Sequence, residues 1–152
     1  MNAAPDPAVF LKTLEKLPPF QGVVFRGCPA ETEFARDGQV TVTTGFTATT
    51  RRPDLVAGTG TIYAIYTTTA REISAFSAQK DEYETVVLPG TTLALAETRE
   101  LSGLDIRLVF EFTPGQQIPP ETVETIATTV EAWLADITSR PDPRPRFIGD
   151  IV

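Results

Sequence analysis

Two proline pairs constrain this chain more than any other feature, Pro18-Pro19 near its start and Pro119-Pro120 near its end. Proline within a helix removes a backbone donor and crowds the preceding turn, so neither pair can lie inside one. Ahead of the first pair, Val9, Phe10, Leu14 and Leu17 fall near a helical period across residues 8–16, with Asp6 in capping position, which predicts one short helix. The second pair, followed by Glu121, opens a helix running to about residue 137, with an apolar stripe of Val123, Ile126, Val130, Trp133, Leu134 and Ile137. Everything between the two pairs reads as short strands. Residues 21–27, 39–44, 59–66, 71–76, 83–88, 91–97 and 104–112 have the β-branched and aromatic content, with glycine and proline punctuation between them. Ile106, Leu108, Phe110 and Phe112 alternate onto one side of the last of these. Residues 31–37 with Gly38 form an acidic turn or loop, and residues 140–146 form a proline-rich extended arm, laid on the domain or left loose. The expected class is α+β, a mainly antiparallel sheet with helices at both ends.

At 152 residues, 41% hydrophobic and 22% charged, the chain is expected to form one domain across residues 1–152. A formal charge of -7 argues against binding a nucleic-acid backbone or an anionic membrane, but does not exclude a small anionic ligand. There is no histidine, which removes every imidazole base, His-assisted triad and His-containing metal site. Chemistry, if present, must run on carboxylates. The single cysteine, Cys28, allows no internal disulfide and has no histidine to activate it. No apolar run approaches the roughly 20 residues that span a bilayer, and residues 1–7 lack a secretion signal, so the expected location is the cytoplasm or an export route that leaves no such mark. The scattered Asp136, Asp142 and Asp150 suggest no metal cluster.

Three segments carry residues suited to chemistry. Glu82-Tyr83-Glu84 opens a predicted strand, where a two-residue period sends both carboxylates to one face with Val86 and Leu88. If that face borders a cleft, burial and mutual repulsion raise at least one carboxyl pKa; the same pattern also describes a solvated strand end. Arg26 follows the buried run Val23-Val24-Phe25 and precedes Gly27, whose missing side chain lets a ligand approach. Its guanidinium suits a phosphate, and equally an internal salt bridge. Phe46-Thr47-Ala48-Thr49-Thr50, followed by Arg51-Arg52-Pro53-Asp54, offers hydroxyls and a ring, but threonine-rich segments are also ordinary strand surface. Gly58-Thr59-Gly60 lacks the lysine of a phosphate loop. Trp133 and Phe110 read as core.

In order and spacing these segments resemble the arginine, Ser-Thr-Ser, Glu-x-Glu class of mono-ADP-ribosyltransferases. The first motif is Phe25-Arg26-Gly27, with Leu17-Pro18-Pro19 ahead of it; the second is Gly45-Phe46-Thr47-Ala48-Thr49-Thr50; the third is Ile73-Ser74-Ala75-Phe76-Ser77 leading to Glu82-Tyr83-Glu84 and Val86-Val87-Leu88-Pro89-Gly90. The resemblance covers roughly residues 14–112. It implies a split, mixed or antiparallel β-sheet core with flanking helices. It also implies a glycosyltransferase reaction, cleaving the nicotinamide–ribose bond of NAD and moving ADP-ribose to a macromolecule. By that resemblance Glu84 would stabilise the positive charge developing on the ribose, and Glu82 would orient or deprotonate the acceptor. Arg26 would pair with the NAD phosphates, Gly27 would present backbone groups to the nicotinamide amide, Phe46 would line the ring pocket, and Thr47, Thr49 and Thr50 would belong to the cofactor-binding segment, the last two helping to hold the strand geometry and Glu84. Two glutamates in the third motif point to protein arginine as acceptor. Hydrolysis of NAD in the same pocket, or binding of NAD or a partner without catalysis, are the alternatives. A toxin or effector is the implied setting, with an immunity or neutralising protein as a candidate partner and monomer as the default state. Two departures stand out: Ala48 replaces the first serine of the middle motif, and one short helix precedes the arginine strand where the family often has several.

Overall fold

Asp6 starts the first helix as its cap, its Oδ1 accepting the amide of Ala8 at 2.9 Å, and Pro7 takes the first helical position of α1 (Pro7–Glu15), where a missing N–H costs nothing. The computed structural model of the chain describes residues 6–27, 37–52, 55–56, 61–74, 82–101, 104–113, 115, 120–137 and 147. Seven strands follow α1: β1 (Pro19–Gly27), β2 (Val40–Val42), β3 (Thr47–Thr50), β4 (Thr61–Glu72), β5 (Glu84–Val87), β6 (Thr92–Leu101) and β7 (Leu104–Glu111), with α2 (Pro120–Ile137) after them. Pro19 opens β1 and Pro120 opens α2, boundaries of the kind that proline chemistry requires.

The strands join in the order β1-β3-β5-β4-β7-β6-β2, and β1 also pairs with β4. Because β1 and β5 each pair with both β3 and β4, these four strands close a circuit of antiparallel ladders. The β4–β7 ladder is parallel, from Thr61↔Asp105 to Tyr66↔Phe110, so the sheet is mixed. The arrangement is α+β, with the helices outside the sheet.

The two strands expected at residues 59–66 and 71–76 give way to one 12-residue strand, β4, which runs on from Thr61 through Glu72 and ends before Ile73. The reason lies at Thr67-Thr68-Thr69, where β4 outruns β7. Glu111, the last residue of β7, accepts hydrogen bonds from all three threonine hydroxyls at 2.8–3.0 Å and from the amides of Thr68 and Thr69 at 3.1 and 3.2 Å. Donors that would otherwise lose their sheet partner are satisfied there, and the strand continues. The acidic stretch 31–36, Cys28, residues 57–60, 75–81 and 138–146 fall outside the described residues.

Three apolar clusters hold the layers. Ile126, Ala127 and Val130 of α2 pack on Phe25, Ala64, Leu108 and their neighbours. On the other side of the sheet Val24, Tyr63, Ile65, Leu93, Leu95 and Val109 cluster. Leu14 of α1 meets Val86 and Leu88 in the third. Both faces of β7 are therefore buried at Leu108, Val109 and Phe110, and the expected one-sided stripe weakens at half-buried Phe112. Arg99 of β6 pairs with Glu124 and Glu97, fastening α2 at its exposed edge. Between β5 and β6, Pro89-Gly90 turns with Gly90 at φ 84°, a conformation that favours glycine. Thr43 locks that turn, donating from Oγ1 to Leu88 O at 2.7 Å and accepting the Thr91 amide at 2.9 Å.

Candidate functional site

The middle segment, Thr47–Thr50, is a strand because three of its four residues are β-branched threonines, and it lies between the strand of Arg26 and the strand of Glu84. Phe25 stands opposite Thr50, and Thr50 in turn opposite Glu84. Thr47, Thr49, Thr50 and Thr85 are buried, so each hydroxyl needs a partner. Thr49 Oγ1 donates to Thr85 O at 2.6 Å, and Thr50 Oγ1 donates to Glu82 O while accepting the Arg52 amide at 3.1 Å. Two threonines of the second motif thus hold the backbone of the third.

Arg26 lies out of step with Val23 and Phe25, which face the α2 side, and so shares the side of Val24 on β1. Its half-buried guanidinium reaches across to β3, where Nη1 donates to Ala48 O at 2.6 Å. Ala48 lacks a side-chain hydroxyl, yet its carbonyl still ties the first motif to the second. Gly27 is buried, and its amide donates to Phe147 O at 2.8 Å. Phe46 is half-buried and packs edge-on against Phe10 of α1, ring centroids 4.9 Å apart at 63°, beside Val86 and Leu88.

The expectation that one strand period carries both carboxylates fails at Glu82. β5 begins at Glu84, Glu82 sits in a 3-10 turn, and Tyr83 between them takes φ 49°. A bulky residue in the left-handed region carries strain of about 1–3 kcal/mol. The turn nonetheless keeps the two glutamates close enough to interact. Burial first, and then the charge of Glu82, hold the Glu84 carboxyl above its ordinary range. That is the direction expected for a carboxylate pair at a cleft edge.

Tyr83 is 43% exposed and, with Arg51 and Arg52, lines an open cavity of about 380 Å³. Arg51 donates from Nη2 to Glu72 Oε1 at 2.6 Å, and its amide bonds Tyr83 O at 3.2 Å. Its guanidinium carbon lies 4.8 Å from the Tyr83 ring centroid and 5.4 Å from that of Phe20. Ile73 N, just after β4, donates to Glu84 O at 3.0 Å. Three residues have no local signature: Arg51 reads only as half of an arginine pair, Glu111 as one residue of the strand at 104–112, and Phe147 as the residue after the proline-rich arm. Each acts on residues far away in the chain. Among the described residues, no group of three or more acidic or cysteine side chains is placed to hold a metal ion.

No protein-family model matches the chain, and no curated protein sequence matches it. Solved structures do. The type III effector XopAI of Xanthomonas axonopodis pv. citri matches with TM-score 0.53 at 22% identity, over 62% of this chain and 43% of its own. The ADP-ribosyltransferase Vis, a toxin from Vibrio splendidus, in complex with an inhibitor, matches with TM-score 0.56 at 17% identity, over 70% and 57% of the two chains; Vis is also known in complex with agmatine. Exoenzyme S of Pseudomonas aeruginosa, bound to carba-NAD and in complex with human 14-3-3 protein beta, matches with TM-score 0.55 at 16% identity, over 79% and 64%. The chain spans less than two thirds of the length of each of these proteins. Its fold is the ADP-ribosyltransferase fold, the split mixed sheet with flanking helices.

Proposed function

We propose that this chain, built on the ADP-ribosyltransferase fold, is a single-domain mono-ADP-ribosyltransferase that uses NAD and modifies a guanidinium group on a protein. One observation carries the reading: β3 is bonded on one side to Arg26 through Ala48 O and on the other to Thr85 of β5 through Thr49 and to Glu82 through Thr50. These bonds join three segments remote in sequence, with Phe25, Thr50 and Glu84 in register across the three strands and Arg26 one residue out of step. The side chains these segments carry suit NAD: a guanidinium for phosphate, a half-buried carboxyl for the ribose, and a second carboxylate beside it. The agmatine complex of Vis, whose ligand ends in a guanidinium, supports an arginine-like acceptor.

NAD supplies a pyridinium leaving group on an anomeric carbon, so no metal or imidazole is required to start the reaction. Nicotinamide departs with the electron pair of the broken C–N bond, and a guanidinium nitrogen forms the new bond to that carbon. Glu84 accepts a ribose hydroxyl and stabilises positive charge as it develops on the sugar. Glu82 orients the acceptor and takes the proton it gives up. Arg26 holds phosphate, while Thr49 and Thr50 keep the carboxylates in register. Protein targets, and a setting as toxin or effector, belong to the same proposal; XopAI, of like fold, is a type III effector.

The test is incubation of the purified chain with NAD and agmatine, measuring free nicotinamide and ADP-ribosyl-agmatine. Both products are expected, and Glu84→Gln should lower nicotinamide release by about 10²–10³-fold with NAD affinity little changed. Full turnover in that variant would remove Glu84 from the mechanism. Ala48 favours one competing reading, a protein that binds NAD without cleaving it, and that reading predicts saturable NAD binding with no nicotinamide at any enzyme concentration.

A further inference from the structure

Arg51 is the meeting point of the four strands that close the circuit. It stands just past the end of β3 and touches one residue from each of the other three strand ends: Phe20 at the start of β1, Glu72 at the end of β4 and Tyr83 immediately before β5. Its main chain adds a hydrogen bond from its own amide to Tyr83 O. Tyr83 is the residue between the two glutamates and the one held at positive φ. Glu72 leads directly to Ile73, whose amide holds Glu84 O, and it also accepts Ser74 Oγ at 3.2 Å. A planar guanidinium can stack on rings while its edge pairs with a carboxylate, which an ammonium cannot do.

We infer that Arg51 is a positioning residue for the acidic turn: by pairing with Glu72 and stacking on Tyr83 and Phe20 it fixes the orientation of Glu82 relative to Glu84, and so the balance between transfer to a guanidinium acceptor and hydrolysis. The role in catalysis rests on the proposed transferase reading; the clamp on the turn does not. The positive charge of Arg51 is taken up by Glu72, so it acts through geometry, leaving the glutamate pair its mutual repulsion. A turn already strained at Tyr83 relaxes when its clamp is removed, and misplacement of a reacting group by about 1 Å costs on the order of 100-fold in rate.

The experiment compares the wild-type chain with Arg51→Ala and Arg51→Lys, with circular dichroism and thermal melting used to correct for the folded fraction; Arg51→Lys keeps a cation for Glu72 and serves if Arg51→Ala fails to fold. Two readouts are taken: the ratio of ADP-ribosyl-agmatine to free ADP-ribose, and the titration of the Glu84 carboxyl by carbon NMR, with Arg51, Arg52, Glu72 and Glu82 as the charged groups around the turn. Expected are a loss of kcat of about 10- to 100-fold, a smaller change in KM for NAD, a ratio shifted toward hydrolysis, and a Glu84 midpoint moved toward that of an ordinary glutamate, with Arg51→Lys between the extremes. Activity that falls only with the folded fraction, at an unchanged product ratio and an unchanged Glu84 titration, overturns the inference. If wild-type protein releases no nicotinamide, the transferase reading fails; a displaced Glu84 midpoint still establishes the clamp, and an unmoved one removes it.

Discussion

Glu84 shows how burying a single carboxyl beside a second one costs the fold. Burial and the neighbouring Glu82 charge both raise its pKa, so the folded state holds the proton more tightly than the unfolded chain does. Folding is therefore favoured most below the ordinary glutamate value of about 4.3, and the penalty grows as pH rises through that value to the raised one. Glu84→Gln is expected to melt at a higher temperature than wild type at pH 7 and at the same temperature near about pH 3.5, which scanning calorimetry at both pH values checks. The proposed reaction needs the ionised form, so kcat/KM should rise with pH through a midpoint above the ordinary value. Glu82→Gln should lower that midpoint, because one of its two causes is gone, while reducing transfer to agmatine more than hydrolysis. Equal loss of both activities would assign Glu82 to the fold. That these two glutamates stand together was legible in the sequence; how they do so was not, because Tyr83 takes a backbone conformation that no tyrosine announces.

The element that most departs from expectation is β4, and its length is explained by Glu111. Burial alone would raise the Glu111 carboxyl, but hydrogen bonds from the hydroxyl of Thr67, the amide of Thr68 and the hydroxyls of Thr69 and Thr68 together outweigh it and hold the group below its ordinary range. A carboxylate depressed in this way contributes stability at pH values above its unfolded pKa, and that contribution disappears as pH falls through the folded one. Glu111→Ala should lower stability by about 1–3 kcal/mol at neutral pH, since it leaves several donors of Thr67-Thr68-Thr69 without their acceptor. The difference in urea midpoint between Glu111→Ala and wild type should shrink as the buffer becomes strongly acidic; a constant difference would mean that the loss is one of packing. Short strands rich in valine, threonine and isoleucine declare themselves by composition, and both helices by their proline starts and stops. A strand that continues beyond its neighbour through a carboxylate 42–44 residues away has no such signature.

Across the molecule, stability and site geometry reside in separate places. Ile126, Ala127 and Val130 join α2 to the large cluster that includes Phe25 and Leu108, whereas the acidic turn is held by β3, β4 and Arg51. Ile126→Ala should therefore cost about 2–4 kcal/mol of global stability, seen as a lower melting temperature, while nicotinamide release per folded molecule stays within about twofold of wild type. A large change in specific activity would show that α2 also shapes the cleft.

Helix limits, most of the strands though neither β3 nor the full length of β4, the order of the three motifs and the exclusion of histidine chemistry follow from amino-acid order, because periodicity, capping and proline sterics act over a few residues. Strand neighbours, the parallel β4–β7 ladder, the Tyr83 turn and the partners of Arg51, Glu111 and Gly27 depend on the folded chain. These contacts join Arg51 to Phe20, Glu111 to Thr67 and Gly27 to Phe147, pairs whose separation along the chain leaves no local pattern, and their energy is realised when the layers close around them.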